Sequence, residues 1–216
     1  RSLVSLARQS FGGNVRDEMT VAASQPSEWI QGARAGLPHL AGFASGSMTF
    51  DPVINGFTFE GVAAPSTLFF LNEDMVRHAG RWRYVIAAEP LPAPAAGETG
   101  ASCEADINVA LASPEMKFQK AGARLDPSSA AALDALAMAA RRCGPRVELE
   151  LEPGEGALDE ARAEQIADFL SRSGLARPRL AAIGYGPAPA GEGMDTGAET
   201  DSGQPLKITV RERNGQ

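Results

Sequence analysis

The stretch Ser47-Met48-Thr49-Phe50-Asp51-Pro52-Val53-Ile54-Asn55-Gly56-Phe57-Thr58-Phe59-Glu60 decides how the first half of the chain is read. Met48 and Phe50 alternate with Ser47 and Thr49, and Phe57 and Phe59 with Thr58 and Glu60. Each run therefore puts its apolar side chains on one face of a strand. Asn55-Gly56 lies between them. Both residues tolerate positive φ, so the pair predicts a type I′ hairpin turn. Pro52 predicts an edge strand or a bulge, because it brings no N–H to a ladder. Trp29–Leu40 before the hairpin is a helix candidate, weakened by Gly36 and Pro38. Pro65–His78 after it is another, and Trp82–Ala87 closes as a strand.

Residues 27–90 thus read as helix, strand, strand, helix, strand. Upstream, Leu3, Val4, Leu6 and Ala7 give a short helical pattern ending near Gly12-Gly13, and Val15, Met19 and Val21 lie in a strand-like run. Met19-Thr20-Val21-Ala22-Ala23-Ser24-Gln25-Pro26 echoes Tyr84-Val85-Ile86-Ala87-Ala88-Glu89-Pro90. Residues 1–26 therefore read as the tail of a preceding copy, with a period near 60. The run Leu91–Gly100 is rich in Pro, Ala and Gly and reads as a linker.

The second half, 101–216, has a different rhythm. Cys103–Leu111 is a possible helix and Glu115–Phe118 a short strand. Asp126 or Ser128 can cap a helix through about Cys143, with Leu133, Leu136, Ala137 and Ala140 on one face. Arg146–Glu150 alternates as a strand, and Pro153-Gly154-Glu155-Gly156 is a turn. Leu158–Ser173 is an amphipathic helix, with Gly174 placed as its C′ residue. Arg179–Tyr185 and Leu206–Arg211 are further strands. The order is β-α-β-α-β-loop-β, an α+β arrangement with helices on one sheet face. Residues 187–205, with Glu192, Asp195, Glu199 and Asp201, read as an exposed acidic loop whose spacing is too loose for a calcium site.

Composition narrows the function. The 216 residues carry a net charge of -7 and include 38 alanines, so large apolar side chains are fewer than the 44% hydrophobic content suggests. That favours small, helix-rich packing units. A sequence pI near 5.0 argues against a nucleic-acid partner, which needs clustered Lys and Arg. No apolar run approaches the roughly 20 residues of a membrane span. The chain opens on Arg1, which reads as a processed or shortened piece, with any leader or anchor upstream. Nucleophile-elbow, Walker and His-Glu-x-x-His motifs are absent. Gly154-x-Gly156 lacks the third glycine of a dinucleotide turn. His39 and His78 read as surface or cap residues, and Trp29 and Trp82 as core anchors, with a partner surface as the alternative. No enzyme activity, cofactor or metal is expected.

Several segments of the second half, taken in order, resemble an OmpA-like peptidoglycan-binding domain over about 115–211. They are Phe118-x-x-x-x-Ala123-x-Leu125-x-x-x-Ser129, Leu133-Asp134-x-Leu136-Ala137, Leu158-Asp159-Glu160-Ala161-Arg162-Ala163, Phe169-Leu170-x-x-x-Gly174-Leu175 and Ile183-Gly184-Tyr185-Gly186. The αββαβ order of residues 27–90 resembles the BON-type repeats found before such domains in envelope proteins. The resemblance implies a βαβαββ domain that binds the diaminopimelate of peptidoglycan without chemistry. An Asp and an Arg of the second helix would grip the ligand's charged ends. Only Arg162 matches among the gripping positions. The family's Gly-His-Thr-Asp loop is replaced by Glu152-Pro153-Gly154-Glu155-Gly156. Its Asn is Glu155, its signature Ser is Asp159, and its Asn-Arg-Arg is Gly203-Gln204-Pro205.

Two readings of Arg162 follow. In one it clamps a carboxylate, with Glu152 or Glu155 substituting for the missing Asp. In the other it forms a structural ion pair with Asp159 or Glu155. An envelope-type domain with only two cysteines, Cys103 and Cys143, also suggests a disulfide, with two buried thiols as the alternative. The resemblance implies a periplasmic protein anchored to a membrane through a segment outside this chain. Its partner is peptidoglycan or, if the ligand site is lost, a membrane or envelope protein complex on which it docks.

Overall fold

A computed structural model describes residues 3–13, 15–20, 29–78, 82–92, 100–112, 116–120, 122–152, 159–182 and 207–212. The chain is mixed α+β, with two three-stranded sheets among the described residues. It divides into two compact units, Arg1–Leu91 and Pro92–Gln216.

The first unit contains α1 (Leu3–Phe11), α2 (Trp29–Leu40), β1 (Phe43–Asp51), β2 (Gly56–Ala63), α3 (Pro65–His78) and β3 (Arg83–Pro90). Its sheet has the order β1-β2-β3. β1 runs antiparallel to β2, and β3 runs parallel to it. A parallel pair needs a long crossover, which α3 supplies. Pro65 sits at the start of α3, where its missing N–H costs no helical bond.

The hairpin forms, but with a different turn from the one predicted. Asp51 pairs with Gly56, so Gly56 belongs to the ladder and Pro52–Asn55 make the loop. Asn55 is left-handed, with φ of 48°. Asp51 Oδ1 accepts the Val53 N–H at 2.7 Å. This aspartate turn competes with the two-residue turn and takes Pro52 out of the strand. The irregularity in β1 lies at its other end, between Phe43 and Ser45. There Gly61 has φ of 131°, and a Cβ on it would run into the Ser45 carbonyl. Residues 15–20 have no regular structure instead of the predicted strand. Val21 and the rest of the echo segment lie outside the described residues.

Phe57, Phe59, Leu71, Met75 and Trp82 form the buried centre of this unit. α2 lies directly on the rings. A Cβ at Gly32 would collide with Phe57, and one at Gly36 would stand 2.6 Å from Phe59 Cζ and 2.9 Å from Met48 Sδ. The glycine that weakens α2 as a sequence pattern is therefore the one its packing requires. The helix survives because tertiary burial outweighs a propensity loss of about 1 kcal/mol.

The second unit contains α4 (Gly100–Ala112), a single-turn helix at Pro127–Ser129, α5 (Ala130–Arg142), β4 (Val147–Glu152), α6 (Asp159–Arg172), a turn at Arg177–Arg179, β5 (Leu180–Ala182) and β6 (Lys207–Glu212). The sheet order is β5-β4-β6. β4 is parallel to β5 and antiparallel to β6. Val147, Leu149 and Leu151 of β4 are buried, whereas Glu148, Glu150 and Glu152 alternate with them on the other face. Ala163, Ile166, Ala167, Phe169 and Leu170 make the buried stripe of α6. That helix ends at Gly174, whose φ of 102° suits a C′ glycine.

The predicted strand at Glu115–Phe118 is not built among the described residues. It reduces to one bridge, Phe118 with Leu125. The neighbouring backbone groups are used locally: Gln119 N–H donates to Arg124 O at 2.7 Å and Asp126 N–H to Lys117 O at 3.0 Å. The predicted cap Asp126 caps the single-turn helix ahead of α5, accepting from Ser128 N–H at 2.8 Å. The linker residues 93–99, the acidic loop 187–205, and Leu158, Glu155 and Ile183–Gly186 lie outside the described residues.

Cys103 and Cys143 form a disulfide with a Cα–Cα distance of 5.2 Å. It ties the first turn of α4 to the residue that ends α5, and both cysteines are buried. Beside it, Arg142 Nη1 meets Asp106 Oδ2 at 2.8 Å.

Two stability predictions follow from these contacts. Gly36→Ala gains about 1 kcal/mol of helix propensity but overpacks the aromatic rings at about 1–3 kcal/mol, so the net effect is destabilising. Tryptophan fluorescence during urea unfolding reads it, because Trp29 and Trp82 both lie in the first unit. A raised midpoint contradicts the packing argument. Replacing both cysteines by serine opens a loop of roughly 40 residues and lowers the stability of the second unit by about 4 kcal/mol. Mass spectrometry of the parent chain without reductant shows it two protons lighter than the reduced form. Two freely alkylated cysteines refute the bridge.

Candidate functional site

Arg162 is the residue around which the sequence expectation turned. It lies in the first turn of α6, where a cation opposes the helix dipole. Two groups help to compensate. Its guanidinium carbon stands 5.1 Å from the centre of the Phe118 ring, an attractive cation–π arrangement. Its Nε–H donates to the Gly122 carbonyl at 3.4 Å. The ring and the carbonyl hold the half-buried guanidinium against the segment 118–122.

The segment that supplies these groups is itself anchored. Leu125 is buried. Ser129, with 0% exposure, accepts the Lys117 N–H at 2.6 Å and donates to the Lys117 carbonyl at 2.9 Å. Hydrogen bonds from Ser128 hold the Asp126 carboxyl below its ordinary range, with a smaller contribution from Lys117. The spacing Phe118, Leu125, Ser129 thus has a local physical basis. Phe118 is a platform for Arg162, Leu125 is the hydrophobic plug, and Ser129 is the clasp.

Glu152 lies elsewhere. It projects from the face of β4 opposite the leucines. There it receives Lys207 Nζ on Oε2 at 3.0 Å and Thr209 Oγ1 on Oε1 at 2.8 Å. Those two hydrogen bonds, Thr209 first, hold its carboxyl below the ordinary glutamate range. Glu150 meets Arg211 Nε at 2.8 Å on the same face. Glu152 is therefore one rung of a cross-strand charge ladder between β4 and β6. Both its oxygens have partners on β6. Its contacts among the described residues are with Lys207 and Thr209. Glu155 and the side chain of Asp159 lie outside the described residues.

Other charged residues have structural partners. Arg179 donates to three backbone carbonyls, Val147 at 2.8 Å, Gly144 at 2.8 Å and Cys143 at 3.2 Å. Burial pulls its guanidinium below the ordinary arginine value. Nothing in the spacing of Arg179 announced this role. Its single signal is a basic residue at the entry to an apolar strand. In the first unit, His39 Nε2 meets Asp74 Oδ2 at 2.7 Å, so it joins α2 to α3 as more than a surface residue. His78 Nδ1 approaches the Asp74 carbonyl oxygen at 2.7 Å within its own helix. Among the described residues, no three His, Cys, Asp or Glu side chains are grouped to hold a metal. No helix among them is long and apolar enough to cross a membrane.

Compared with known proteins, the chain matches no family model and no curated protein.

The Glu152 contacts carry a pH signature. Its folded-state value lies below the unfolded one, near 4.3 for a free glutamate. Its contribution is therefore complete above about pH 4.3 and is lost as the pH falls through the lower folded value. Glu152→Gln is expected to lower the urea midpoint at neutral pH and to converge with the parent in acid. A gap of equal size at both pH values would show that the ionised rung contributes nothing.

Proposed function

We propose that this chain is a non-catalytic component of a cell envelope, with a divergent OmpA-like second unit that holds peptidoglycan without forming a covalent bond. The observation that supports the reading is Arg162, fixed at the start of α6 by Phe118 and Gly122. A guanidinium is suited to a carboxylate, which it meets in a bidentate fork. The chemistry fits the carboxylate of a diaminopimelate-containing stem peptide. The disulfide supports an oxidising compartment, consistent with a periplasmic location. In this reading the first unit is a BON-like αββαβ module and residues 1–26 are the end of another.

A second reading rests on Glu152. Its carboxylate is engaged by Lys207 and Thr209, so it is poorly placed to receive the ligand's ammonium group. A site with one charged grip in place of two binds more weakly, because each unmade charge-assisted bond costs about 1.5–3 kcal/mol. If that loss is complete, the unit serves as an interaction module on an envelope complex.

Sedimentation with purified peptidoglycan sacculi separates the two. The first reading expects the parent chain to pellet with sacculi, and Arg162→Ala to lose roughly a factor of ten or more in retention. Arg162→Lys, which keeps the charge but not the fork, should recover only part of it. Unfolding curves confirm that both variants remain folded. A parent chain that stays in the supernatant overturns the peptidoglycan reading and leaves the interaction module.

A further inference from the structure

β3 is the last strand of the first sheet, and among the described residues no strand pairs with its far edge. Its ladder fixes which peptide groups face that edge. The Arg83 N–H donates to Asn55 O at 3.1 Å, and the Leu91 N–H to Ala63 O at 2.8 Å, both on the β2 side. In a parallel ladder alternate residues give both backbone groups to the same neighbour. Arg83, Val85, Ala87 and Glu89 therefore bond to β2. Tyr84, Ile86 and Ala88 turn their N–H and C=O groups outward. Pro90 has no N–H and ends the row. The side chains alternate as well: Tyr84 and Ile86 lean on the core, whereas Arg83, Val85, Ala87 and Glu89 are exposed on the open face.

We propose that this edge pairs antiparallel with the same edge of a second copy of the chain, about a two-fold axis at Ile86. In that register Tyr84 faces the second copy's Ala88, Ile86 faces Ile86, and Ala88 faces Tyr84. Every outward N–H of the three residues then meets an outward carbonyl. A slip of two residues one way loses one of these pairs. A slip the other way sets Tyr84 against Pro90, which accepts but cannot donate, and sets Glu89 against Val85.

The register centred on Ile86 is also the one that matches charge. It sets Arg83 opposite the second copy's Glu89, and Glu89 opposite its Arg83. These are non-hydrogen-bonded positions, where facing side chains approach most closely. Val85, 50% exposed, then faces Ala87 on the same surface. The interface is isologous, as a two-fold dimer requires. It turns two three-stranded sheets into one of six strands and leaves no β3 edge open to unrelated strands.

The test is sedimentation equilibrium of the full, disulfide-bonded chain over a range of concentrations. The parent chain is expected to dimerise. Arg83→Glu and Glu89→Arg each replace two attractions by two repulsions and should weaken association about tenfold. An equimolar mixture of these two variants should restore it, because both ends of the paired strands then set an acidic side chain of one variant against a basic side chain of the other. Hydrogen exchange of the parent gives a readout that needs no substitution. The amides of Tyr84, Ile86 and Ala88 should gain protection as concentration rises. A parent that is monomeric at every concentration overturns the proposal. So does a dimer indifferent to both reversals, a mixture that fails to recover, or exchange of the three amides that does not depend on concentration.

Discussion

A three-stranded sheet can be covered on one face by a single layer of helices, and its other face is then left to water. Both units of this chain are arranged around that constraint. In the second unit it is written into Val147-Glu148-Leu149-Glu150-Leu151-Glu152, where valine and leucines are buried and the glutamates alternate with them, partly buried, on the other face. In the first unit the covered face is aromatic, and α2 must come within van der Waals contact of flat rings. Gly32 and Gly36 permit the approach. Larger residues on that helix face would lift it off the sheet and expose Phe57 and Phe59, each of which contributes roughly 1.5–3 kcal/mol by burial.

The outer faces then differ in how they are made compatible with water. β4 and β6 use charge of both signs, with Lys207 and Arg211 answering Glu152 and Glu150. β1 to β3 use small and polar residues such as Ser47, Thr49, Thr58 and Ala87, with Glu60 and Arg83 among them. A charge ladder holds β6 against β4 at one edge of its sheet. In the first sheet, the outward backbone groups of β3 carry bonding capacity that no described strand takes up. Periphery and core are thus coupled. The covering helices settle which residues are left outside, and those residues settle what the sheet can bind.

Much of this was legible because periodicity reports burial. The helix candidates Trp29–Leu40 and Pro65–His78 form as α2 and α3, and the hairpin followed from alternation around Asn55-Gly56. The readings that missed did so where a side chain competed with a backbone pattern. Asp51 captured the Val53 N–H and moved the turn back by two residues. Ser129 captured both backbone groups of Lys117 and left a single bridge where a strand was expected. Gly36 read as a helix defect because a one-dimensional pattern holds no record of the ring above it. For the candidate site, Arg162 was singled out by the resemblance that Leu158–Ala163 carries, but its contacts with Phe118 and Gly122 were not foreseen. They lie about 40 residues away, and no spacing rule links them to it.

The same long-range contacts bear on how Arg162 can act. A cation in the first turn of a helix is disfavoured by the dipole, so an arginine there must be compensated by its surroundings or by a ligand. Phe118 and Gly122 supply part of that compensation, and neither is a carboxylate. A ring face and a neutral carbonyl orient a guanidinium without themselves cancelling its charge. Glu152 provides the contrast within the same unit. Its charge is answered by Lys207 and its other oxygen by Thr209, so it has been absorbed into the sheet. A diaminopimelate grip requires two charged positions, one for a carboxylate and one for an ammonium group. Arg162 is held in part by Phe118 and Gly122, whereas the acidic candidate on β4 is engaged by a cation and a hydroxyl of β6.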